Sequence, residues 1–158
     1  MSIERARAHL RTFDLDGKIL EFDVSSATVE LAAAALGCPA AHITKTLSFS
    51  LDDGPILICM AGDVKLDNAK YKATFGKKAK MLTPDEAIER IGHAVGGVCP
   101  FGIHEGVRVY LDRSLLRFDT VYPAAGSSNS AIAMSPMQLE RVSGAEAWID
   151  VTKETEVV

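Results

Sequence analysis

One lysine interrupts the clearest strand pattern in the sequence. From Ile43 to Leu51, apolar and polar side chains alternate, as expected for a strand. Lys45 falls on the apolar face of this strand, next to Leu47. Because an unpaired ammonium is costly to bury, Lys45 either lines a polar cleft or lies at a sheet edge with its stem packed on the core. The pattern alone leaves both interpretations open.

The segment Gly92–Gly102 contains four glycines and a proline within eleven residues. A loop of this composition lets a ligand approach the backbone closely, and its N–H groups can bind a phosphate or a developing oxyanion. It is not a Walker loop, because no Gly-Lys-Ser/Thr ends it, and no strand leads into it as in a dinucleotide-binding site. A purely structural turn is the alternative.

A further glycine segment, Tyr122–Ser130, joins two predicted short strands. Ser127 and Ser128 could donate hydrogen bonds to a ligand. The segment lacks the Gly-x-Ser-x-Gly pattern of serine hydrolases, and ordinary turn chemistry accounts for most of its composition.

The histidines and cysteines predict neither a metal site nor a disulfide. No two of the four histidines are spaced i, i+4, and Cys38, Cys59 and Cys99 form no Cys-x-x-Cys pair. An odd number of widely spaced cysteines is typical of a reducing cytosol. His93 and Cys99 share the glycine loop and could form a nucleophile–base pair, but Cys99 is better interpreted as a small loop residue.

Charge is unevenly distributed along the chain. Seventeen Lys and Arg residues against 21 Asp and Glu give a formal net charge of −4, which argues against general nucleic-acid binding. Between positions 65 and 80, however, the net charge is +5, so the rest of the chain carries −9. This run is either a local anion-binding patch or a solvated face. Its lysines are Lys65, Lys70, Lys72, Lys77, Lys78 and Lys80.

The overall composition is that of an average soluble protein. With 158 residues, of which 47% are hydrophobic and 24% charged, the chain is predicted to form one domain over residues 1–158. It shows no signal peptide and no apolar stretch long enough for a membrane helix, so a cytoplasmic location is expected. Hairpin-like connections dominate the alternation of helices and strands, which predicts an α+β fold with a mixed or mostly antiparallel sheet.

The predicted elements follow from periodicity, caps and turn residues. Helices are predicted over Ser2–Phe13, from Ser25 or Ser26 to Leu36, and over Asp67–Phe75, Pro84–Ile91 and Pro136–Val142. Strands are predicted over Lys18–Asp23, Ile43–Leu51, Ile56–Ala61, Val107–Asp112, Thr120–Tyr122, Ala131–Met134 and Trp148–Val151.

Four motifs occur together and in order along the chain. They are Ile43-Thr44-Lys45-Thr46-Leu47, the turn Ala61-Gly62-Asp63, the loop Gly96-Gly97-Val98-Cys99-Pro100-Phe101-Gly102, and Val121-Tyr122 leading to Gly126. Together they resemble the YbaK/EbsC family of aminoacyl-tRNA deacylases, which is related to the editing (insertion) domain of bacterial prolyl-tRNA synthetase. The resemblance covers nearly the whole chain and implies a compact α+β fold with a curved, mixed sheet flanked by helices.

The resemblance also implies an activity: trans-editing, in which the ester joining a wrong amino acid to the 3′ end of a tRNA is hydrolysed without metal or cofactor. Lys45 would hold the substrate near the terminal adenosine or its phosphate, and Gly96 and Gly97 would supply backbone donors. No protein nucleophile is implied, because a ribose hydroxyl or the substrate's own side chain assists the attack on an already activated ester. The residues implied at the amino-acid pocket are Thr46, Val98, Cys99, Pro100, Gly126 and Ser127.

The resemblance leaves the substrate's amino acid open. Cysteine-specific members carry an Asp at the position that spacing assigns to Ala131, so cysteinyl specificity is not expected, whereas alanyl, seryl, threonyl or another specificity is. The implied partners are mischarged tRNA and, as a further candidate, an aminoacyl-tRNA synthetase; the oligomeric state is not predicted. Two other hypotheses use the same residues: a non-catalytic nucleotide- or oligonucleotide-binding module, and a structural partner of a synthetase.

Overall fold

Helices and short strands alternate along the chain. The computed structural model describes residues 2–155, with Ser2 described by its backbone alone. Within this range the α-helices are α1 (Ser2–Arg11), α2 (Val29–Leu36), α3 (Asn68–Phe75), α4 (Pro84–Arg90) and α5 (Pro136–Ser143). The strands are β1 (Leu20–Glu21), β2 (Ile43–Leu51), β3 (Gly54–Ala61), β4 (Val64–Leu66), β5 (Arg108–Asp112), β6 (Tyr122–Pro123), β7 (Ser130–Ala131), β8 (Ala147–Ile149) and β9 (Thr152–Glu154).

Side-chain caps fix the starts of four helices. Thr28, Asp67, Thr83 and Ser135 each accept a hydrogen bond from a backbone N–H in the first turn of α2, α3, α4 and α5, respectively. Such caps satisfy N–H groups that have no partner within the helix. Among residues 2–155, none of the helices has both the length and the apolar character needed to cross a membrane.

Helix α2 starts later than predicted. The sequence suggested Ser25 or Ser26 as the cap, but the helix begins at Val29 and Thr28 caps it. The backbone N–H of Ser26 instead donates to the carbonyl of Ser128, with a distance of 2.7 Å between N and O. This bond ties the chain before α2 to the segment Tyr122–Ser130, a contact between distant residues that local pattern does not reveal.

A five-stranded sheet in the order β6-β2-β3-β5-β8 forms the centre of the fold. Strands β2 and β3 pair antiparallel as a hairpin, from Thr44 opposite Ala61 to Leu51 opposite Gly54. The other three pairings, β6 with β2, β3 with β5 and β5 with β8, are parallel. A parallel pairing of β3 with β5 is possible because the connection between them is long and includes α3 and α4. The predicted mixed sheet is confirmed, with parallel pairs in the majority within it.

Strand β3 lies in the middle of the hydrophobic core. Every residue over 56–61 is buried, as expected for a strand covered on both faces. An aromatic stack extends the core along α3: the ring centroids of Phe49 and Tyr71 are 5.1 Å apart, and those of Tyr71 and Phe75 are 4.7 Å apart. Phe49 thereby anchors β2 four residues after Lys45.

Two short ribbons complete the strand pairing. Strand β1 pairs antiparallel with β7, so the predicted strand Lys18–Asp23 contributes only two residues. Strand β4 pairs antiparallel with β9, and neither was predicted, because three residues are too few for alternation to indicate a strand. The predicted edge strand Trp148–Val151 is found as β8, at one edge of the central sheet.

The outer edge of β2 has a gap in its pairing. Strand β6 pairs with the first two residues of β2, and segment 80–82 pairs further along, through the N–H of Ser50 and the carbonyl of Ser48. Between these two contacts, no strand among the described residues pairs with positions 45–47 on this side. Because the backbone groups of Ser48 and Ser50 point outward, alternation along the strand turns those of Thr46 outward as well.

Candidate active site

The gap in the edge of β2 opens into a cavity of about 240 Å³, here named the β2 cleft. The cleft is bounded by residues 43–48 of β2, by the start of α2 and by the glycine loop at Val95, Gly96 and Val98. Strand β7 and segment 81–87 complete its walls. The Lys45 strand and both glycine segments thus meet at one cavity; the second segment contributes Tyr122, Ala124 and Ser130, whereas Gly126 does not line it.

Lys45 is the one charged side chain that lines the β2 cleft within the described part of the chain. The side chain is half-buried, and its Nζ donates a hydrogen bond to the carbonyl oxygen of Val64. Burial lowers the pKa of Lys45, and the nearby carboxylates of Asp63 and Glu30 oppose that shift. The geometry combines the two interpretations, because Lys45 lines a cleft and does so at the unpaired edge of β2.

Gly97 brings the two glycine segments into contact. A Cβ atom at this position would lie 2.8 Å from the carbonyl carbon of Gly126 and 2.8 Å from the backbone N of Ser127, which is closer than any real Cβ contact. Its own N–H donates to the carbonyl of Ala94 at 3.0 Å and is therefore already used. Glycine at this position is required by the close approach of the two backbones.

Gly96 is the residue of the loop that faces the start of α2. Its φ of +95° lies in the region that favours glycine, and a Cβ would lie 3.2 Å from the Cβ of Ala27. Within residues 2–155, the backbone N–H groups of Gly96 and Val98 have no intramolecular hydrogen-bond acceptor. Like the N–H of Val95, these two groups belong to loop residues that line the cleft and are available as donors, whereas the N–H of Gly97 is not.

Cys99 and Pro100 lie behind the cleft, in the protein interior. The Sγ of Cys99 is 3.6 Å from the Nε2 of His93, and that Nε2 is 2.6 Å from the carbonyl oxygen of Phe101. Burial raises the pKa of the Cys99 thiol to about 12 and lowers the pKa of His93. The two side chains are therefore close in space, but the high pKa keeps the Cys99 thiol protonated, so the pair does not form a reactive thiolate. Neither residue lines the cleft.

The hydroxyl residues around the cleft are differently placed. Thr46 lines it, with its Oγ1 3.5 Å from the Sγ of Cys59. Ser127 does not line it; its Oγ is 2.7 Å from the Oγ of Ser130, which does.

Sequence reasoning missed several cleft residues, because no local pattern indicates which turns meet across the fold. They are Ser130, the start of α2 and segment 81–87. Ala131 lines the cleft, at the position where cysteine-specific relatives were expected to carry an Asp.

The lysine run does not form one uniform patch. Lys70 pairs with Asp150 (3.1 Å between Nζ and Oδ1), and Lys77 pairs with Asp52 (2.6 Å between Nζ and Oδ1). The four other lysines are exposed and make no ion pair among the described residues; they are Lys65 on β4, Lys72 on α3, and Lys78 and Lys80 after α3. Lys80 directly precedes Met81, which lines the cleft.

Metal-binding side chains are scattered over the fold. Within residues 2–155, no group of three or more His, Cys, Asp or Glu side chains is arranged so that it could hold a metal ion.

Comparison with known proteins gives the family. A sequence model of the aminoacyl-tRNA editing domain matches residues 24–142. The chain is 49% identical over 157 residues to the uncharacterized protein YwhH of Bacillus subtilis (strain 168), covering 99% of this chain and 100% of that protein. It is 30% identical over 125 residues to the proline–tRNA ligase of Nitratidesulfovibrio vulgaris, covering 78% of this chain and 21% of the ligase. The chain thus spans about a fifth of that ligase's length.

A solved structure supports the same assignment. The crystal structure of a candidate trans-editing enzyme for prolyl tRNA synthetase matches with a TM-score of 0.87 and 31% sequence identity, over 96% of this chain and 97% of that one. The match confirms the α+β fold with a curved, mixed sheet that the sequence resemblance implied. The chain belongs to the family of YbaK-like aminoacyl-tRNA editing domains, and it is homologous to the editing domains of prolyl-tRNA synthetases.

Proposed function

We propose that this protein is a free-standing aminoacyl-tRNA deacylase, which hydrolyses the ester between a wrongly attached amino acid and the 3′ end of a tRNA. The observation that carries the proposal is the position of Lys45. Among the described residues it is the one charged side chain that lines the β2 cleft, and the glycine loop borders the same cleft. Membership of the editing-domain family supports the same reaction.

Lys45 is suited to bind the negatively charged backbone at the terminal adenosine. An ammonium that is partly removed from water attracts a phosphate oxygen more strongly than one in bulk solvent. In the proposed complex, Lys45 exchanges its hydrogen bond to the Val64 carbonyl for a phosphate oxygen, or keeps it and adds a second acceptor. An ammonium has three donors, so both arrangements are chemically available.

The proposed hydrolysis needs positioning rather than a protein nucleophile. Water attacks the ester carbonyl carbon, the bond to the ribose oxygen breaks, and that oxygen takes a proton as the free amino acid leaves. The N–H groups of Gly96 and Val98 are the candidate donors to the developing oxyanion. A neighbouring ribose hydroxyl, or the amino acid's own side chain, assists the attacking water. Gly97 contributes by holding the loop against Gly126 and Ser127.

The cleft fits a small, uncharged amino acid. Its walls include Ala27, Thr44, Thr46, Ser130 and Ala131, all of which carry small side chains without charge. A charged amino acid would find no oppositely charged group there apart from Lys45, and would lose its hydration. These walls favour alanyl, seryl and threonyl esters over esters of large or charged amino acids. Cysteine is also small, and we expect its ester to be a poorer substrate because Ala131 lines the cleft where cysteine-specific members of the family carry an Asp.

The exposed lysines after α3 are the proposed contact for the rest of the tRNA. Lys80 directly precedes Met81 at the cleft and Lys78 lies two residues before Lys80, so a strand whose end enters the cleft can pass over them. Residues 1–158 would act as a single editing domain without a resident cofactor, in the cytoplasm, where charged tRNA is made and used. A synthetase that releases the mischarged tRNA is the proposed second partner.

A deacylation assay over a panel of tRNAs mischarged with alanine, serine, threonine or cysteine tests the proposal. We expect the wild-type protein and a control variant, Lys18→Ala, which changes an exposed lysine after α1, to hydrolyse at least one ester at equal rates. Lys45→Ala should lower that rate about 100-fold. Salt-dependent tRNA binding without hydrolysis of any ester, beside an active control deacylase, would instead indicate a non-catalytic binding module.

A further inference from the structure

We propose that Asp63 and Arg117 are positioning residues for Lys45: Arg117 holds the Asp63 carboxylate beside the Lys45 ammonium but out of direct contact with it. The inference rests on the proposed function, in which Lys45 binds the substrate. It concerns two residues outside the β2 cleft, in the turn between β3 and β4 and in the 3-10 helix Arg113–Arg117.

The pair has the geometry of a two-point clamp. Arg117 Nη1 donates to Asp63 Oδ2 at 3.0 Å and Nη2 donates to Oδ1 at 2.6 Å. Two parallel bonds between planar groups fix the orientation of the carboxylate as well as its position. Arg117 is itself held, because its Nε donates to the carbonyl of Ser114 at 2.8 Å and its guanidinium lies 4.7 Å from the ring centroid of Phe118.

The clamp reaches Lys45 through one peptide unit. Asp63 directly precedes Val64, whose carbonyl accepts the hydrogen bond from the Lys45 ammonium. The backbone of Asp63 is held from the other side, since its carbonyl accepts a bond from Thr155 Oγ1 at 2.9 Å. The turn that carries the acceptor for Lys45 is therefore fixed through both the side chain and the backbone of Asp63.

Electrostatics explain why the carboxylate must be held. The charged groups that act on Lys45 are Asp63 from the β3–β4 turn and Glu30 from α2, and Arg117 is the direct partner of Asp63. Both carboxylates favour the charged ammonium, yet within the described residues neither forms an ion pair with it at salt-bridge distance. If Asp63 swung onto Lys45, it would compete with the substrate's phosphate for the same donors. The clamp thus keeps a negative charge near Lys45 and leaves the ammonium donors that Val64 does not use available to a phosphate.

Stability alone does not account for the clamp. Both side chains are partly exposed, and exposed ion pairs contribute little to folding. A second pair, Arg108 with Asp53, is joined by one contact, with 2.7 Å between Nη2 and Oδ1, and its carboxylate is more exposed than that of Asp63 (69% against 37%). It links the start of β5 to the turn between β2 and β3, away from the cleft. It serves as the control for every substitution below.

The first measurement is steady-state deacylation by Arg117→Gln, which releases Asp63 to pair with Lys45. We expect KM for mischarged tRNA to rise about tenfold with a smaller change in kcat, while Arg108→Gln changes neither. The double variant Asp63→Asn, Arg117→Gln lacks the competing carboxylate, so its KM should return towards the wild-type value. Equal effects of Arg117→Gln and Arg108→Gln, or no recovery in the double variant, would overturn the proposal.

The second measurement does not depend on activity. A pH titration of the Lys45 side chain by nitrogen-15 NMR should show a lower pKa in Asp63→Asn than in the wild type, because a negative charge that favours the ammonium has been removed. The control Asp53→Asn should leave that pKa unchanged. An unchanged Lys45 pKa in Asp63→Asn overturns the proposal. If the shift is present but the wild-type protein hydrolyses no ester, the clamp stands and the proposed function fails.

Discussion

Gly97 lies directly against the peptide that joins Gly126 to Ser127, so the two glycine segments of the sequence form one unit behind the β2 cleft. A side chain at position 97 would collide with backbone atoms at 2.8 Å, and backbone cannot give way as a flexible side chain can. The contact sets the position of the neighbouring donors at Gly96 and Val98. It makes Gly97 a residue whose substitution should affect the reaction through geometry.

Gly97→Ala should displace the loop and lower kcat/KM for deacylation about 100-fold, because a shift of about 1 Å in donors is enough for such a loss. It should also lower the free energy of unfolding by about 1–3 kcal/mol, as overpacked positions do. Gly17→Ala is the matched control, because a Cβ there meets nothing within 4 Å. Steady-state deacylation kinetics and thermal unfolding are measured for both variants. If kcat/KM of Gly97→Ala equals that of the wild type, the contact is not needed for the reaction.

The depressed pKa of Lys45 predicts an alkaline limit to activity. Burial lowers this pKa, so the ammonium loses its proton at a lower pH than an exposed lysine with a pKa of about 10.4. We expect kcat/KM, corrected for spontaneous ester hydrolysis, to fall as pH rises towards that value. Lys45→Arg keeps its charge throughout and should lose the alkaline limb, whatever its absolute rate. An alkaline limb that persists in Lys45→Arg would assign the titration to another group.

The buried thiol at Cys99 predicts an activity that does not depend on it. Burial raises its pKa to about 12, so almost no thiolate is present at neutral pH. Cys99→Ala should therefore retain deacylation within about threefold of the wild type, the loss reflecting only looser packing. In the native protein a thiol reagent should reach Cys38 and leave Cys59 and Cys99 unmodified until the chain unfolds. A loss of about 10⁴-fold in Cys99→Ala would instead indicate covalent catalysis.

The exposed lysines beside the cleft predict a salt-sensitive contribution to tRNA binding. The double variant Lys78→Ala, Lys80→Ala should lower kcat/KM for mischarged tRNA several-fold. The slope of log kcat/KM against log salt concentration should become shallower, by an amount that corresponds to about two phosphate contacts at most. Hydrolysis of a minimal aminoacyl-adenosine should not change, because that substrate ends within the cleft. An equal loss on both substrates would place the two lysines in the chemistry rather than on the path of the tRNA.

A buried carboxylate predicts a position at which substitution strongly lowers the stability of the fold. Asp112 has no exposed surface and accepts hydrogen bonds from Ser114 N (2.9 Å), Val151 N (2.9 Å) and Thr152 Oγ1 (2.8 Å). Asp112→Ala leaves these donors unsatisfied and should lower the free energy of unfolding by about 3 kcal/mol in a denaturant titration. Asp53→Ala breaks an exposed pair and should cost less than about 1 kcal/mol. Similar losses in both variants would contradict this account.

The sequence predicted the parts of the site that depend on local pattern. Lys45 stood out because it broke an alternation that otherwise holds over nine residues, and Gly96 and Gly97 stood out by composition. The helices predicted over Asp67–Phe75 and Pro84–Ile91 followed from the same local rules and are found as α3, with Asp67 as its cap, and α4. These features are readable because their cause lies within a few residues of their effect.

The features that the sequence did not predict depend on distant residues. Arg117 meets Asp63 across 54 positions, and Ser26 meets Ser128 across 102. The sequence showed the positive charge of the lysine run. It did not show that Asp150 would pair with Lys70 and Asp52 with Lys77. Pairings of this kind depend on which strands are neighbours in the sheet, and the lengths of the connections between elements were not enough to predict that order.

The gap at the edge of β2 also bears on how the protein avoids associating with other chains. Exposed strand edges invite other strands to pair, which leads to aggregation. Among residues 2–155, β6 and segment 80–82 pair with the two ends of this edge and leave positions 45–47 open. An opening of three residues offers an added strand few pairing partners, and a lysine stands among them, as at many protected strand edges. The opening through which the proposed substrate enters the β2 cleft is thus a poor template for β-sheet growth.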